Sequence, residues 1–200
     1  LCSDADGSSG YDPRMFDRRT MLGLIGAAFT PYLAQATSMS RVSAYAFTFP
    51  ALDGGDILLS SYAGRPMLVV NTASLCGYTP QYAGLETLWS RYRNKGLVVL
   101  GVPSNDFGNQ EPGGAADIVK TAYEGYHVTF PLTAKVAVKG VGAHPFYRWA
   151  AQERPQEAPR WNFHKYLVGR DGQLRGGYAS AMEPTDPRII SAIEQEMLAG

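Results

Sequence analysis

Apolar and polar positions fall into recognisable blocks from Met67 onward. The run MLVVNTAS at residues 67–74 is apolar and β-branched at its start and has the length of a buried strand. A turn at Cys76-Gly77-Tyr78 follows, and Thr79 and Pro80 have the residue types of a helix N-cap and a first helical position. Leu85, Leu88, Trp89 and Tyr92 then recur at helical spacing, and Arg91, Arg93, Lys95 and Gly96 close that helix with cations and a terminal glycine. Residues 97–103 (LVVLGVP) read as a second buried strand. Strand, helix and strand form a βαβ unit, which predicts two parallel strands joined by a right-handed crossover.

The remaining blocks are shorter. After a polar loop at residues 104–113, residues 115–123 read as a helix, residues 129–132 as extended chain and residues 146–151 as a short helix. NFHKYLV at 162–168, followed by Arg170-Asp171-Gly172-Gln173, reads as a strand and a hairpin turn. Residues 184–198 carry Ile189, Ile190, Ile193 and Met197 on one helical stripe. The sum is an α/β domain, a central mixed sheet flanked by helices.

Composition narrows the function classes. The chain has 200 residues, with 18 basic residues balancing 18 acidic ones, and no long basic run, so neither nucleic-acid binding nor a polybasic membrane anchor is expected. Two cysteines, Cys2 and Cys76, are too few for a disulfide scaffold or a cysteine-rich zinc site, and His127, His144 and His164 lack metal-ligand spacing, so no metal is expected.

Residues 1–36 read as a leader and export signal, and residues 37–200 as one domain. Arg18-Arg19 precede a short apolar run and then Ala34-Gln35-Ala36, a layout that resembles the bacterial twin-arginine signal and predicts cleavage after Ala36 and residence in the periplasm. An N-terminal amphipathic helix is the alternative. The apolar run at 21–29 falls well short of the ~20 residues of a membrane-spanning helix, so no integral membrane segment is expected in the mature chain. Residues 1–14 are polar and Gly/Ser-rich, either a flexible leader or a stretch upstream of a start at Met15; Cys2 then carries no chemistry.

Cleavage would leave Cys76 as a lone thiol in an oxidising compartment. It lies just past a buried strand and just before a helix, where backbone N–H groups and the helix dipole favour a thiolate. An inert, buried cysteine is the competing reading. The turn reads Cys76-Gly77-Tyr78-Thr79, with no second cysteine for dithiol exchange, which leaves chemistry that needs one attacking sulfur, such as peroxide reduction.

NTASLCGYTPQYAGLETLWSRYRNKGLVVLGVPSNDFGNQEPG and, later, PRWNFHKYLVGRDG resemble the glutathione peroxidase family over roughly residues 45–198. The resemblance implies a thioredoxin-like fold and a site of Cys76, Gln110, Trp161 and Asn162. Those residue types suit the chemistry: two amides and an indole are N–H donors that can face a thiolate, and then the leaving oxygen, without adding a competing base. Departures also matter. The usual FPCNQFG loop reads Val102-Pro103-Ser104-Asn105-Asp106-Phe107-Gly108 here, so Ser104 removes a thiol and Asp106 adds a carboxylate expected to face solvent or pair with a base. The stretch at residues 122–126 lacks the resolving cysteine of thioredoxin-dependent members, and Tyr78 stands where a basic residue sometimes follows Cys-Gly. The segment between Pro131 and Trp161 is short for the tetrameric members, which implies a monomer with an open site for bulky, including lipid, hydroperoxides.

The expected function is therefore a thiol-dependent peroxidase with no cofactor, acting on a hydroperoxide and regenerated by an external thiol, glutathione or a thioredoxin-like protein. A peroxide sensor or relay, and a non-catalytic binding module on the same fold, are the alternatives.

Overall fold

The computed structural model describes residues 42–198. The expected leader, Arg18-Arg19 and the cleavage point after Ala36 lie outside the described residues.

Among the described residues six strands and four α-helices follow one another in the order expected of an α/β chain. A hairpin of β1 (Thr48–Pro50) and β2 (Asp56–Leu58) comes first, then β3 (Met67–Thr72), α1 (Gln81–Tyr92), β4 (Val98–Pro103), α2 (Ala115–Val119), α3 (Pro145–Glu153), β5 (Lys165–Val168), β6 (Leu174–Tyr178) and α4 (Pro187–Leu198). The main sheet has the order β4-β3-β5-β6. β3 and β4 are parallel, as the βαβ pattern predicts, with Met67 opposite Val98 and Thr72 opposite Pro103. β5 is antiparallel to β3, and β6 returns antiparallel to β5 through the turn at Gly172, whose φ of 78° favours glycine.

β3 is buried along its whole length because both faces of the sheet are covered. Leu68 and Val70 point to one side, where Leu85 and Leu88 of α1, Ile118 of α2, and Ile189 and Ile193 of α4 meet them. Met67 and Val69 point to the other, against Phe146, Tyr147 and Trp149 of α3 and Phe49 of the hairpin. The free edge of β4 is partly closed by residues 131–133: the Gly101 N–H donates to the Pro131 carbonyl at 3.1 Å, and the Thr133 N–H donates to the Gly101 carbonyl at 2.9 Å. Glycine suits this approach, since a Cβ at 101 would lie 2.2 Å from Leu132 Cδ2 and would force that side chain to move.

Several elements differ from the sequence reading. The helix expected at 115–123 is α-helical only to Val119 and then widens into a π-helical turn, Lys120–Gly125. The strand expected from Asn162 begins at Lys165, because Phe163 adopts φ 62° and turns the chain before pairing starts. The last helix begins at Pro187, three residues after the expected start. Thr79 is not the cap of α1. That position falls to Pro80, without a side-chain cap, and the Thr79 hydroxyl turns back toward the cysteine loop.

Two polar residues of β5 and its approach are buried. The Lys165 ammonium donates to Gln81 Oε1 at 2.6 Å, the Met182 carbonyl at 2.5 Å and the Ser180 carbonyl at 3.3 Å, which offsets the cost of burying a charge and ties β5 to the first residue of α1. His164 is 5% exposed, and burial first, with the Lys165 charge second, lowers its pKa from 6.5 to about 4. The unfolded chain therefore takes up this proton more readily than the folded one. Stability is full above about pH 6.5 and falls by about 3 kcal/mol as pH drops toward 4. Urea unfolding at pH 7 and pH 4 should show wild type losing about 3 kcal/mol more than His164→Leu; parallel losses would contradict the burial assigned to this ring.

Candidate active site

The site forms where three loops meet at one end of the sheet. The chain leaves β3 at Thr72 and reaches α1 through residues 73–80, with Cys76 in the middle and 7% exposed. Thr79 folds this loop: its Oγ1 accepts from the Cys76 N–H at 3.0 Å and lies 2.9 Å from the Ala73 carbonyl and 2.7 Å from the Cys76 carbonyl. The Tyr78 backbone N–H donates to Cys76 Sγ at 3.4 Å. That bond favours negative charge on the sulfur.

Gln110 comes from the loop after β4. Gly108 and Asn109 are left-handed there, with φ of 66° and 51°. Asn105 braces the loop, its Oδ1 accepting from the Glu111 N–H at 2.9 Å and its Nδ2 donating to Asn109 Oδ1 at 3.3 Å. The Gln110 carbonyl accepts from the Leu75 N–H at 2.9 Å, which joins the two loops one residue before the cysteine.

Trp161 and Asn162 arrive from the segment that precedes β5. Asn71 of β3 fixes them: its Nδ2 donates to the Trp161 carbonyl at 3.1 Å, and its own carbonyl accepts from the Phe163 N–H at 2.6 Å. The Trp161 ring is 38% exposed and lies against Phe107, centroids 6.0 Å apart, and against Gly108, where a Cβ would come within 3.2 Å of it. Gly108 is thus favoured twice, by its positive φ and by this contact, which a larger residue would have to push back by a few tenths of an ångström.

Asn162 is fully buried, and Nδ2 donates to Gln110 Oε1 at 2.9 Å and to the Phe107 carbonyl at 3.3 Å. Both amide hydrogens are engaged in this way. Sequence reasoning cast Asn162 as a donor to the sulfur; in the structure it orients Gln110, holding that amide by its oxygen and leaving the NH₂ end for a reacting group. The structure brings Gln110, Trp161 and Asn162 together beside the cysteine loop, while the hydrogen bond that reaches Sγ is the backbone one from Tyr78.

Among the described residues Asp106 pairs with no basic side chain. Its Oδ2 accepts from the N–H groups of Val138 and Lys139, at 2.6 and 3.0 Å, which anchors the carboxylate to the chain before α3. Ser104 is buried, and its hydroxyl accepts from the Asp106 N–H at 3.4 Å.

Two clefts flank the cysteine loop. One, of about 670 Å³, is bordered by Tyr78 and Trp161 and runs over Gly177 and Ser180; the other, of about 620 Å³, runs along Ser74, Leu75 and Glu111. Leu75, next to the cysteine, is 66% exposed and gives the second cleft an apolar rim. Among the described residues no group of His, Cys, Asp and Glu side chains could hold a metal ion, and no helix is long and apolar enough to cross a membrane.

Sequence reasoning expects backbone N–H groups at Cys76 without saying which, and the structure supplies the one of Tyr78. That reasoning missed two other residues. Thr79 has the right type for a cap, and only its packing shows that it braces the loop instead. Glu111, in a Gly/Pro-rich stretch that reads as solvated, is fully buried, and burial pushes its carboxyl above the usual carboxylate range against the opposing pull of Ser74 and Lys135.

A sequence model of the family described as glutathione peroxidase matches residues 44–151. The hydroperoxy fatty acid reductase gpx1 of Synechocystis is 41% identical over 168 residues, covering 80% of this chain and 98% of that protein. The crystal structure of Trgpx in its apo form has a TM-score of 0.66 at 37% identity, over 80% of this chain and 97% of that one. A thiol:disulfide interchange protein of the thioredoxin family from Chlorobium tepidum has a TM-score of 0.57 at 14% identity, over 76% of this chain and 92% of that one, a likeness that shows the thioredoxin fold alone. With a cysteine in the loop after β3, an amide and an indole brought to that loop, and a match to both sequence and fold over most of its length, the chain belongs to the glutathione peroxidase family.

Proposed function

We propose that this protein reduces hydroperoxides at Cys76 and is regenerated by an external thiol. The observation that carries the reading is the placement of Cys76 Sγ on a backbone N–H, in a loop hydrogen-bonded to the one that carries Gln110. The Cys76 thiolate attacks one oxygen of the O–O bond; the S–O bond forms as the O–O bond breaks, and the leaving oxygen takes a proton to become water or an alcohol. The Gln110 amide and the Trp161 indole supply N–H groups toward the charge growing on that oxygen. A first thiol then attacks the sulfenic acid to give a mixed disulfide and water, and a second thiol releases reduced Cys76.

Among the described residues Cys76 is the one cysteine, so an internal disulfide has no partner there and the reductant comes from outside. The apolar rim at Leu75 and Trp161 and the open cleft beside it favour organic hydroperoxides, and the Synechocystis relative named as a hydroperoxy fatty acid reductase points the same way. We assign the protein to the periplasm, as a monomer, on the Arg18-Arg19 leader and the shortness of the 131–161 segment.

With hydrogen peroxide and glutathione, or a thioredoxin-like reductant, Cys76→Ser is expected to abolish turnover; a variant that keeps wild-type turnover would exclude Cys76 as the nucleophile. Gln110→Ala should slow single-turnover oxidation by roughly tenfold to hundredfold while leaving the reduction step unchanged. An unchanged oxidation rate would remove Gln110 from the proposed role.

A further inference from the structure

Glu111 is a costly residue to place where it stands. Its side chain is fully buried, Oε1 has no hydrogen-bond partner, and Oε2 accepts from the Ser74 hydroxyl at 3.1 Å. The Ser74 backbone N–H faces the same carboxylate. Lys135, the cation nearest in the hydrogen-bond pattern, goes to the backbone instead, donating to the Glu111 carbonyl at 3.0 Å and the Gly113 carbonyl at 2.7 Å. Among the described residues no ion pair repays the burial of this carboxyl, and the Asp117 charge opposes it. A residue kept under such conditions is expected to do something that a glutamine-sized apolar side chain could not.

What it does is legible in the two neighbouring hydrogen bonds. Ser74 donates to Glu111, and Leu75, the next residue, donates to the carbonyl of Gln110, the residue before Glu111. Two consecutive residues of the cysteine loop are thus rungs to two consecutive residues of the glutamine loop. The Leu75 rung is backbone and survives any side-chain change. The Ser74 rung depends on the carboxyl.

We propose that Glu111 is a positioning residue of the peroxidase reaction: by holding Ser74 it fixes the register of the cysteine loop against the glutamine loop, and so the aim of the Gln110 amide at the oxygen bonded by Cys76. The inference rests on the peroxidase reading of Cys76. Glu111 touches neither sulfur nor peroxide; it acts through Ser74 and Gln110. Loss of the rung leaves one backbone bond to hold the loops together, and displacement of a catalytic amide by about 1 Å costs roughly a hundredfold in rate. The oxidation step, which uses Gln110, should suffer. Reduction of the sulfenic acid, in which a thiol approaches from solvent, should not.

The test follows the Cys76 peptide by mass spectrometry in the full chain, first during single-turnover oxidation by hydrogen peroxide and then during reduction by glutathione. Glu111→Ala should oxidise roughly tenfold to hundredfold more slowly, with reduction within about twofold of wild type. Glu111→Gln, whose amide oxygen still accepts from Ser74, should recover oxidation to within about threefold. Ser74→Ala, which removes the hydroxyl and keeps the Ser74 N–H facing the carboxylate, should slow oxidation by at least about threefold and by no more than Glu111→Ala, and the double variant should be no slower than Glu111→Ala alone, as expected of two partners in one rung. Should Glu111→Ala fail to fold, Ser74→Ala and Glu111→Gln carry the same comparison. Oxidation within twofold of wild type in Glu111→Ala or Ser74→Ala overturns the proposal, as does an equal slowing of oxidation and reduction. If Cys76→Ser abolishes turnover while Glu111→Ala oxidises normally, this inference fails alone and the peroxidase reading stands.

Discussion

The 2.9 Å hydrogen bond from the Leu75 N–H to the Gln110 carbonyl holds together the two loops on which the chemistry depends. It can form because β3 and β4 are parallel neighbours, so the loops that leave their carboxyl ends emerge side by side. The carboxyl ends of parallel strands are where open α/β sheets characteristically bind ligands. β5 lies on the other side of β3 and runs antiparallel to it, so the residues that enter β5 reach the same end. Asn71, on the middle strand, fastens that third segment with three hydrogen bonds of its own, one through its side chain, one through its carbonyl and one from its backbone N–H to the His164 carbonyl. Sheet topology alone therefore brings residues 76, 110 and 161–162 to one place.

Much of this was legible in the sequence where burial dictates composition. Met67 to Val70 and Val98 to Val102 are apolar because both faces of those strands are covered, and the helix between them shows its apolar stripe at Leu85 and Leu88. Gly96 ends that segment with φ 106°, in the left-handed state its residue type suggests. The β1–β2 hairpin was not foreseen: its strands have three residues each, too short for alternation to register, although Gly54 and Gly55, with φ of 97° and 77°, mark its turn. The early end of α2 as an α-helix and the late start of β5 have no composition signal either. The second follows from the positive φ of Phe163, a conformation rare enough for a bulky residue that sequence gives no reason to expect it.

The site was legible as a set of residues and not as a set of contacts. Cys76, Gln110, Trp161 and Asn162 stood out by type and by the motifs around them, whereas the structure distinguishes what each is free to do. Asn162 holds Gln110, and the Phe107 carbonyl takes its other hydrogen. Asp106, a concern as a charge near the sulfur, is turned onto two backbone N–H groups. The proposed chemistry thus relies on uncharged donors around the cysteine loop, with the Asp106 carboxylate held on backbone N–H groups, an arrangement suited to a developing oxyanion without a base in competition for the proton.

The proposed chemistry requires the sulfur of residue 76 to be unusually reactive toward peroxide. The direct measurement is the rate at which equimolar hydrogen peroxide converts Cys76 to a sulfenic acid, trapped with dimedone and read on the Cys76 peptide, beside the rate for free cysteine under the same conditions. Cys76 should react at least about a hundredfold faster, the scale on which positioned N–H donors act; a rate no greater than that of free cysteine would contradict the account.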